Sequence, residues 1–186
     1  MNDTLKEILK TSIYFLALLL LALFIVTFIG QRTIVDGNSM NNTLFDKDNL
    51  IVDKVTYRFH DPKRFDVIVF PYKKGSRNYF IKRVIGLPGE TVYIDEDGNI
   101  FIDDVLLKEN YGKEVIKDPG IANKPIVLGE DEFFVLGDNR NDSFDSRYRE
   151  VGNIKKKDII GRAWLRVFPF KSFGFVKHAE DKWWEN

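Results

Sequence analysis

Hydrophobic positions along this chain follow two regimes. Residues 13–29, IYFLALLLLALFIVTFI, carry no charge and are apolar on every side of a helix. With Thr11 and Ser12 the uncharged stretch reaches nineteen residues, which at helical rise spans roughly 28 Å, about the thickness of a bilayer core. The apolar core of a cleaved secretory signal is shorter, about 7–15 residues, and its cleavage site needs two small residues just past that core. VTFIGQRT offers Gly30 but puts Phe28 two places before it. The pattern therefore predicts an uncleaved transmembrane signal-anchor over residues 11–30. Lys6 and Lys10 precede it and Arg32 follows. A short N-terminus with this bias predicts residues 1–10 in the cytoplasm and residues 31–186 as one extracytoplasmic domain.

Beyond Gln31 the apolar residues recur in short runs bounded by turn signals, as strands do. NLIVDKVTYRF is rich in β-branched and aromatic residues, and FDVIVFPY is an apolar run stopped by Pro71. NYFIKRVIGLPG ends in a Leu-Pro-Gly turn. In TVYIDEDGNIFIDDVLL, Val92 and Ile94 precede an Asp97-Gly98 turn, with Ile100 and Ile102 after it, the pattern of a hairpin. EFFVLGD and IIGRAWLRVF supply two further strands, and no helix of a dozen periodic residues is evident in this part. The expected fold is mainly β: an antiparallel β-sheet domain on one N-terminal transmembrane helix.

Charge and composition narrow the chemistry. Lys plus Arg and Asp plus Glu balance at 28 each, so no strong overall field draws the protein to nucleic acid. There is no cysteine, hence no disulfide or thiolate site. His60 and His178 are the two histidines, too few and too far apart for a metal-binding pair at helical spacing. No metal and no cofactor is expected.

Three segments stand out. In VDGNSMNNTL, Ser39 sits in a turn where backbone N–H groups can converge on a carbonyl oxygen, although Gly, Asn and Ser are also ordinary turn residues. In NYFIKRVIG, Lys82 interrupts an apolar strand, with Phe80 and Val84 on its own face and Ile81, Arg83 and Ile85 on the other. Such a lysine either protects a sheet edge and snorkels to water, or is desolvated, in which case its lowered pKa makes it a base for a serine hydroxyl. LGDNRNDSFDSR packs Asp138, Arg140, Asp142, Asp145 and Arg147 around Ser143 and Ser146. It is either a solvated loop or a fixed ion-pair network that holds a neighbouring site rigid. A Ser-His-Asp triad is disfavoured, because His60 and His178 lie in polar or terminal contexts. Ser-x-x-Lys does not occur.

Together these segments resemble the bacterial type I signal peptidases, in the short single-anchor form found in Gram-positive bacteria. GNSMNNTL resembles the family's serine box, commonly Ser-Met-x-Pro-Thr-Leu. FDVIVF and YFIKRVIGLPGE resemble the strand and lysine boxes, and LGDNRNDSFDSR resembles the Gly-Asp-Asn-Arg-x-x-Ser-x-Asp-Ser-Arg signature. The resemblance runs from about residue 12 to Phe168. It implies Ser39 as nucleophile, Lys82 as general base and Ser143 as the residue orienting the lysine amine. It implies the Ser39 backbone N–H as oxyanion donor, and Arg83, Asp138, Asp145 and Arg147 as a supporting ion-pair network. Val35, Met40, Leu44, Phe80 and Ile81 are implied to line the substrate pockets. The implied partners are secretory preproteins with small residues at the first and third positions before the cut, and the lipid bilayer, with the enzyme a monomer in the plasma membrane. Trp183 and Trp184 either touch the lipid interface or form a plain aromatic tail. Two positions depart from the pattern. Asn42 stands where the serine box usually has proline, so the turn loses a fixed φ, and Gly37 stands where some members have a serine that completes the oxyanion hole. A silent membrane-anchored paralogue and a self-cleaving Ser-Lys protease are the competing readings.

Overall fold

A computed structural model describes residues 3–24, 30–73 and 78–178. Helix α1 (Asp3–Phe24) comes first. Its described side chains between residues 6 and 23 are exposed, so no described residue of the domain covers them. Among the described residues no helix is long and apolar enough to cross a membrane. Lys6, Glu7 and Lys10 occupy its early turns, and the apolar run it holds, residues 13–24, spans about 18 Å. The rest of the expected anchor, residues 25–29, lies outside the described residues, as do Trp183 and Trp184.

The body is β, as the short apolar runs predict. In chain order come β1 (Gly30–Ile34), β2 (Asn49–Asp53), the one-turn helix α2 (Thr56–Phe59), β3 (Val67–Pro71), β4 (Tyr79–Gly86), β5 (Thr91–Ile94), β6 (Ile100–Ile102) and β7 (Val105–Leu106). They are followed by β8 (Ile126–Val127), β9 (Glu132–Leu136), β10 (Ile154–Lys155), β11 (Gly161–Phe168) and β12 (Gly174–Phe175). Among the described residues these strands form two sheets. The larger has the order β1-β2-β11-β3-β4-β9-β10, with β12 added on β11, and the smaller has the order β7-β6-β5-β8. Every pairing is antiparallel.

β3 explains why its sequence is continuously apolar. Val67 and Val69 enter one core with Leu50, Val52 and Ala163, while Ile68 and Phe70 enter another with Val84, Phe133 and Val135. A strand covered on both faces needs apolar residues at every position, and each such buried side chain contributes roughly 1.5–3 kcal/mol. The hairpin expected around Gly98 forms: Val92 pairs with Ile102 and Ile94 with Ile100, and Gly98 takes φ +80 in the turn. The strand expected over NLIVDKVTYRF is only half realised. β2 ends at Asp53, whose Oδ1 accepts the backbone N–H groups of Val55 at 2.8 Å and Thr56 at 3.1 Å. That carboxylate holds a turn that leads the chain into α2 despite its β-branched and aromatic residues.

Candidate active site

β4 lies between β3 and β9, so Lys82 is on a central strand, not an edge. Its cross-strand partner is Ile68, and it is 3 % exposed. The snorkelling alternative fails on that geometry. Lys82 Nζ instead stands 2.7 Å from Ser39 Oγ, donates to the Ile81 carbonyl at 3.1 Å, and lies 5.0 Å from the centre of the Phe80 ring. Burial pulls the ammonium down to about 8, with Asp145 and Asp138 pulling weakly the other way. A neutral amine at this distance can accept the hydroxyl proton of a serine.

Ser39 is brought to the lysine by contacts with the Asp-Arg loop. Its carbonyl accepts the N–H of Asn139 at 3.0 Å, and the Asn139 carboxamide donates to the Asn38 carbonyl at 3.1 Å. Gly137 lies at the crossing. A Cβ there would fall 2.2 Å from Ser143 Oγ and 2.4 Å from the Ser39 carbonyl oxygen, which leaves room for glycine alone. Ser143 is thus beside the serine turn, but its hydroxyl is buried with no hydrogen-bond partner. The expected bond from Lys82 to Ser143 is not made, because the amine is turned to Ser39 and the Ile81 carbonyl.

The ion pairs are buried, which excludes the solvated-loop alternative. Arg83 Nε and Nη2 each donate to Asp138 at 2.8 Å, and both side chains are fully buried. Arg83 Nη2 also donates to Thr43 Oγ1 at 3.0 Å, and Thr43 Oγ1 donates to Asp138 at 2.5 Å. That cluster joins the segment after Ser39, the lysine strand and the Asp-Arg loop. Arg147 forks onto Asp145 at 2.8 and 2.9 Å, and Asp145 accepts the Gly137 N–H at 3.0 Å. The four expected residues form two such pairs, linked through Gly137 and Asp138.

A cleft of roughly 580 Å³ opens in front of Ser39 and Lys82. Val35, Met40, Phe80 and Ile81 line it, together with residues 31–34 and Phe144. Leu44 does not. It is 1 % exposed and packed with Val35, Met40 and Val52, behind the cleft rather than on its wall. Asn42 has φ +111, a region closed to proline, and its carboxamide donates to the Tyr111 carbonyl at 3.1 Å. Gly37 has φ +95, and its N–H donates to Asp46 Oδ1 at 2.9 Å. His178 faces away from this site, 3.3 Å from Asp66, with Nε2 3.0 Å from the Ala163 carbonyl oxygen.

Sequence reasoning missed Thr43, Asn139, Glu109 and Tyr111. Asn139 stands in LGDNRNDSFDSR and Thr43 in the serine box, each without a role that its residue type alone would suggest. Glu109 and Tyr111 lie in a stretch with no period, and their partners are far away in sequence.

The family described as signal peptidase, peptidase S26, matches residues 6–168. A probable signal peptidase I-2 of Synechocystis sp. is 35 % identical over 180 residues, covering 94 % of this chain and 78 % of the relative. A signal peptidase I of Leptolyngbya laminosa is 40 % identical over 161 residues, covering 83 % of this chain and 76 % of the relative. A crystal structure of a signal peptidase I from Enterococcus faecalis is 34 % identical, covering 55 % of this chain and 97 % of that one, with a TM-score of 0.45.

Proposed function

This chain belongs to the signal peptidase family, peptidase S26, and we propose that it cuts signal peptides from secreted preproteins with Ser39 as nucleophile and Lys82 as general base. The observation that carries this reading is the 2.7 Å contact between a buried lysine amine and the serine hydroxyl. That contact also speaks against a silent paralogue.

In the base form, the amine lone pair takes the Ser39 proton as Oγ attacks the scissile carbonyl, and the oxygen that becomes negative is met by the Ser39 backbone N–H. The protonated lysine then gives its proton to the leaving amine. A water gives a proton to Lys82 as it attacks the acyl carbonyl, and Lys82 returns that proton to Ser39 Oγ as the carboxyl product leaves. A neutral amine keeps two N–H groups. One reaches the Ile81 carbonyl, and the other is left for the unpaired Ser143 hydroxyl once Ser39 is acylated. The Arg83–Asp138 and Arg147–Asp145 pairs hold the three segments in place. Val35, Met40, Phe80 and Ile81 leave room for small side chains at the first and third positions before the cut.

The site faces a membrane substrate from a membrane-held domain. The apolar run on α1 has no protein cover, and with residues 25–29 it completes an uncharged stretch of bilayer length. Phe168, Phe170, Phe173 and Phe175 are 49–80 % exposed at the β11–β12 end of the large sheet, a second apolar surface suited to the lipid interface. In this reading residues 1–10 are cytoplasmic and residues 31–186 lie outside the plasma membrane, in a monomer.

The test is cleavage of a preprotein carrying an Ala-x-Ala site, in detergent or lipid, with the new N-terminus sequenced. Cleavage after the second alanine is expected, and is expected to vanish in Ser39→Ala and Lys82→Met while both variants stay folded. Turnover retained in either variant would remove that residue from the chemistry.

A further inference from the structure

The segment 109–113 leaves the small sheet after β7 and runs to the back of the site, where it touches all three segments that build it. The Tyr111 carbonyl accepts the Asn42 carboxamide at 3.1 Å, three residues past the serine. The Tyr111 ring covers the Arg83 guanidinium, with the carbon of that group 3.8 Å from the ring centre, next in the chain to the lysine. The Lys113 N–H donates to the Asp138 carbonyl at 2.8 Å. Glu109 pairs with Arg140 at 2.7 Å, and Arg140 Nε donates to the Gly137 carbonyl at 3.1 Å. Glu109 also shapes the segment itself, accepting the N–H groups of Tyr111 at 2.6 Å and Gly112 at 3.3 Å. Gly112 packs close to the same ion pair: a Cβ there would stand 3.1 Å from the Arg140 guanidinium carbon, which would have to give by a few tenths of an ångström.

We propose that Tyr111 is a positioning residue for the Ser39–Lys82 pair, holding the serine turn through Asn42 and the lysine strand through Arg83. The inference rests on the reading of that pair as the catalytic dyad, and it assigns Tyr111 no contact with substrate. Asn42 is where the argument is strongest. The serine turn here adopts φ +111 at this position, so a proline cannot stiffen it, and the carboxamide bond to Tyr111 supplies the restraint instead. The ring on Arg83 is the second restraint, since an aromatic face over a desolvated guanidinium fixes its plane. The plane of Arg83 in turn fixes Asp138 and Thr43. The small sheet thereby becomes part of the catalytic architecture, through a strap that has no chemistry of its own.

Misplacing a nucleophile and its base by about 1 Å costs up to about 100-fold in turnover. Tyr111→Ala is therefore expected to lower kcat about 10- to 100-fold, with KM for an Ala-x-Ala preprotein within about threefold of the parent. With the strap loosened, water reaches the lysine, so the pH midpoint of kcat moves up from about 8. Tyr111→Ala removes the ring from Arg83 and leaves the backbone carbonyl that Asn42 meets; Tyr111→Phe keeps the ring, and is expected to restore both values. Asn42→Gly keeps a backbone that tolerates positive φ and removes only the carboxamide. It is expected to lower kcat in the same sense and decides the question if Tyr111→Ala fails to fold. Parent kcat and pH midpoint in a folded Tyr111→Ala, or in Asn42→Gly, would overturn the proposal, as would a Tyr111→Phe as impaired as Tyr111→Ala. The parent and Ser39→Ala are run beside them. Cleavage that survives Ser39→Ala overturns the dyad and the positioning role with it, whereas cleavage lost in Ser39→Ala but untouched in the strap variants overturns the positioning role alone.

Discussion

Lys82 makes opposite demands on stability and on activity. Its ammonium ordinarily loses a proton near 10.5, and burial lowers that to about 8. Between these values the unfolded chain holds a proton that the folded chain has released, so stability rises with pH across that window. Below about 8 the folded protein carries a buried ammonium, at a cost on the order of 3 kcal/mol. Lys82→Met removes the charge at similar length. It is expected to gain stability relative to the parent at pH 7, and the gain is expected to shrink steadily toward pH 10, as read from denaturant midpoints at several pH values. Activity follows the same proton, with kcat climbing through about pH 8 as the amine becomes a base. A kcat flat from pH 6 to 9 would mean that Lys82 is not the titrating group. Lys82→Arg stays inactive throughout, because a guanidinium does not deprotonate in this range.

At the scale of elements, the turn after β9 joins everything. Gly137 is not there for an unusual φ; it is there because the serine turn and Ser143 leave no space for a methyl group. Gly137→Ala must push Ser39 and Ser143 away from the lysine. We expect it to cost about 1–3 kcal/mol of stability and to reduce cleavage at least as much as Tyr111→Ala, with thermal melting and turnover measured on one preparation. A Gly137→Ala protein with parent turnover would show that the turn can shift without moving the serine. What was legible in the sequence divides along the same line. β3, β4 and the Gly98 hairpin declare themselves because their side chains are sorted locally, by burial on both faces or by alternation. α2 does not, because a single carboxylate, Asp53, outweighs the strand propensity of the residues after it. β7, β8, β10 and β12 are two residues long and exist only through their partners. The site behaves likewise. Ser39 alone is an ordinary turn serine and Lys82 alone has two readings, and they gain meaning from the order of four boxes. Leu44 is placed in the cleft by the family resemblance alone, and the turn at Met40 and Asn42 carries it into the core instead. Tyr111 was invisible because its partner Asn42 is 69 positions away.

At the scale of the whole molecule, the exposed half of α1 and the phenylalanines of the β11–β12 end have a common consequence. Both are apolar surface that the described residues of the domain leave uncovered, and in the proposed reading both meet the bilayer. On that reading, a domain held to the membrane by two such surfaces would meet a substrate whose signal peptide lies in the same membrane. The encounter then depends on a local concentration rather than a bulk one, and such tethering is worth about 10²–10⁴ without any new contact at the cleft. The chemistry gains nothing from it, since α1 supplies no group to the Ser39–Lys82 pair. A protein beginning at Gly30 should therefore keep its turnover on a short water-soluble Ala-x-Ala peptide to within a few-fold. On a preprotein embedded in vesicles the same truncation should lose about 10²-fold or more. Replacing Phe170, Phe173 and Phe175 by serine in that truncated protein should lower vesicle binding further and leave peptide cleavage alone, because none of the three lines the cleft. The decisive quantity is the ratio of the two cleavage rates, measured with circular dichroism to establish that each variant is folded. Equal loss on the peptide and on the embedded preprotein would mean that α1 supports the fold instead of the encounter.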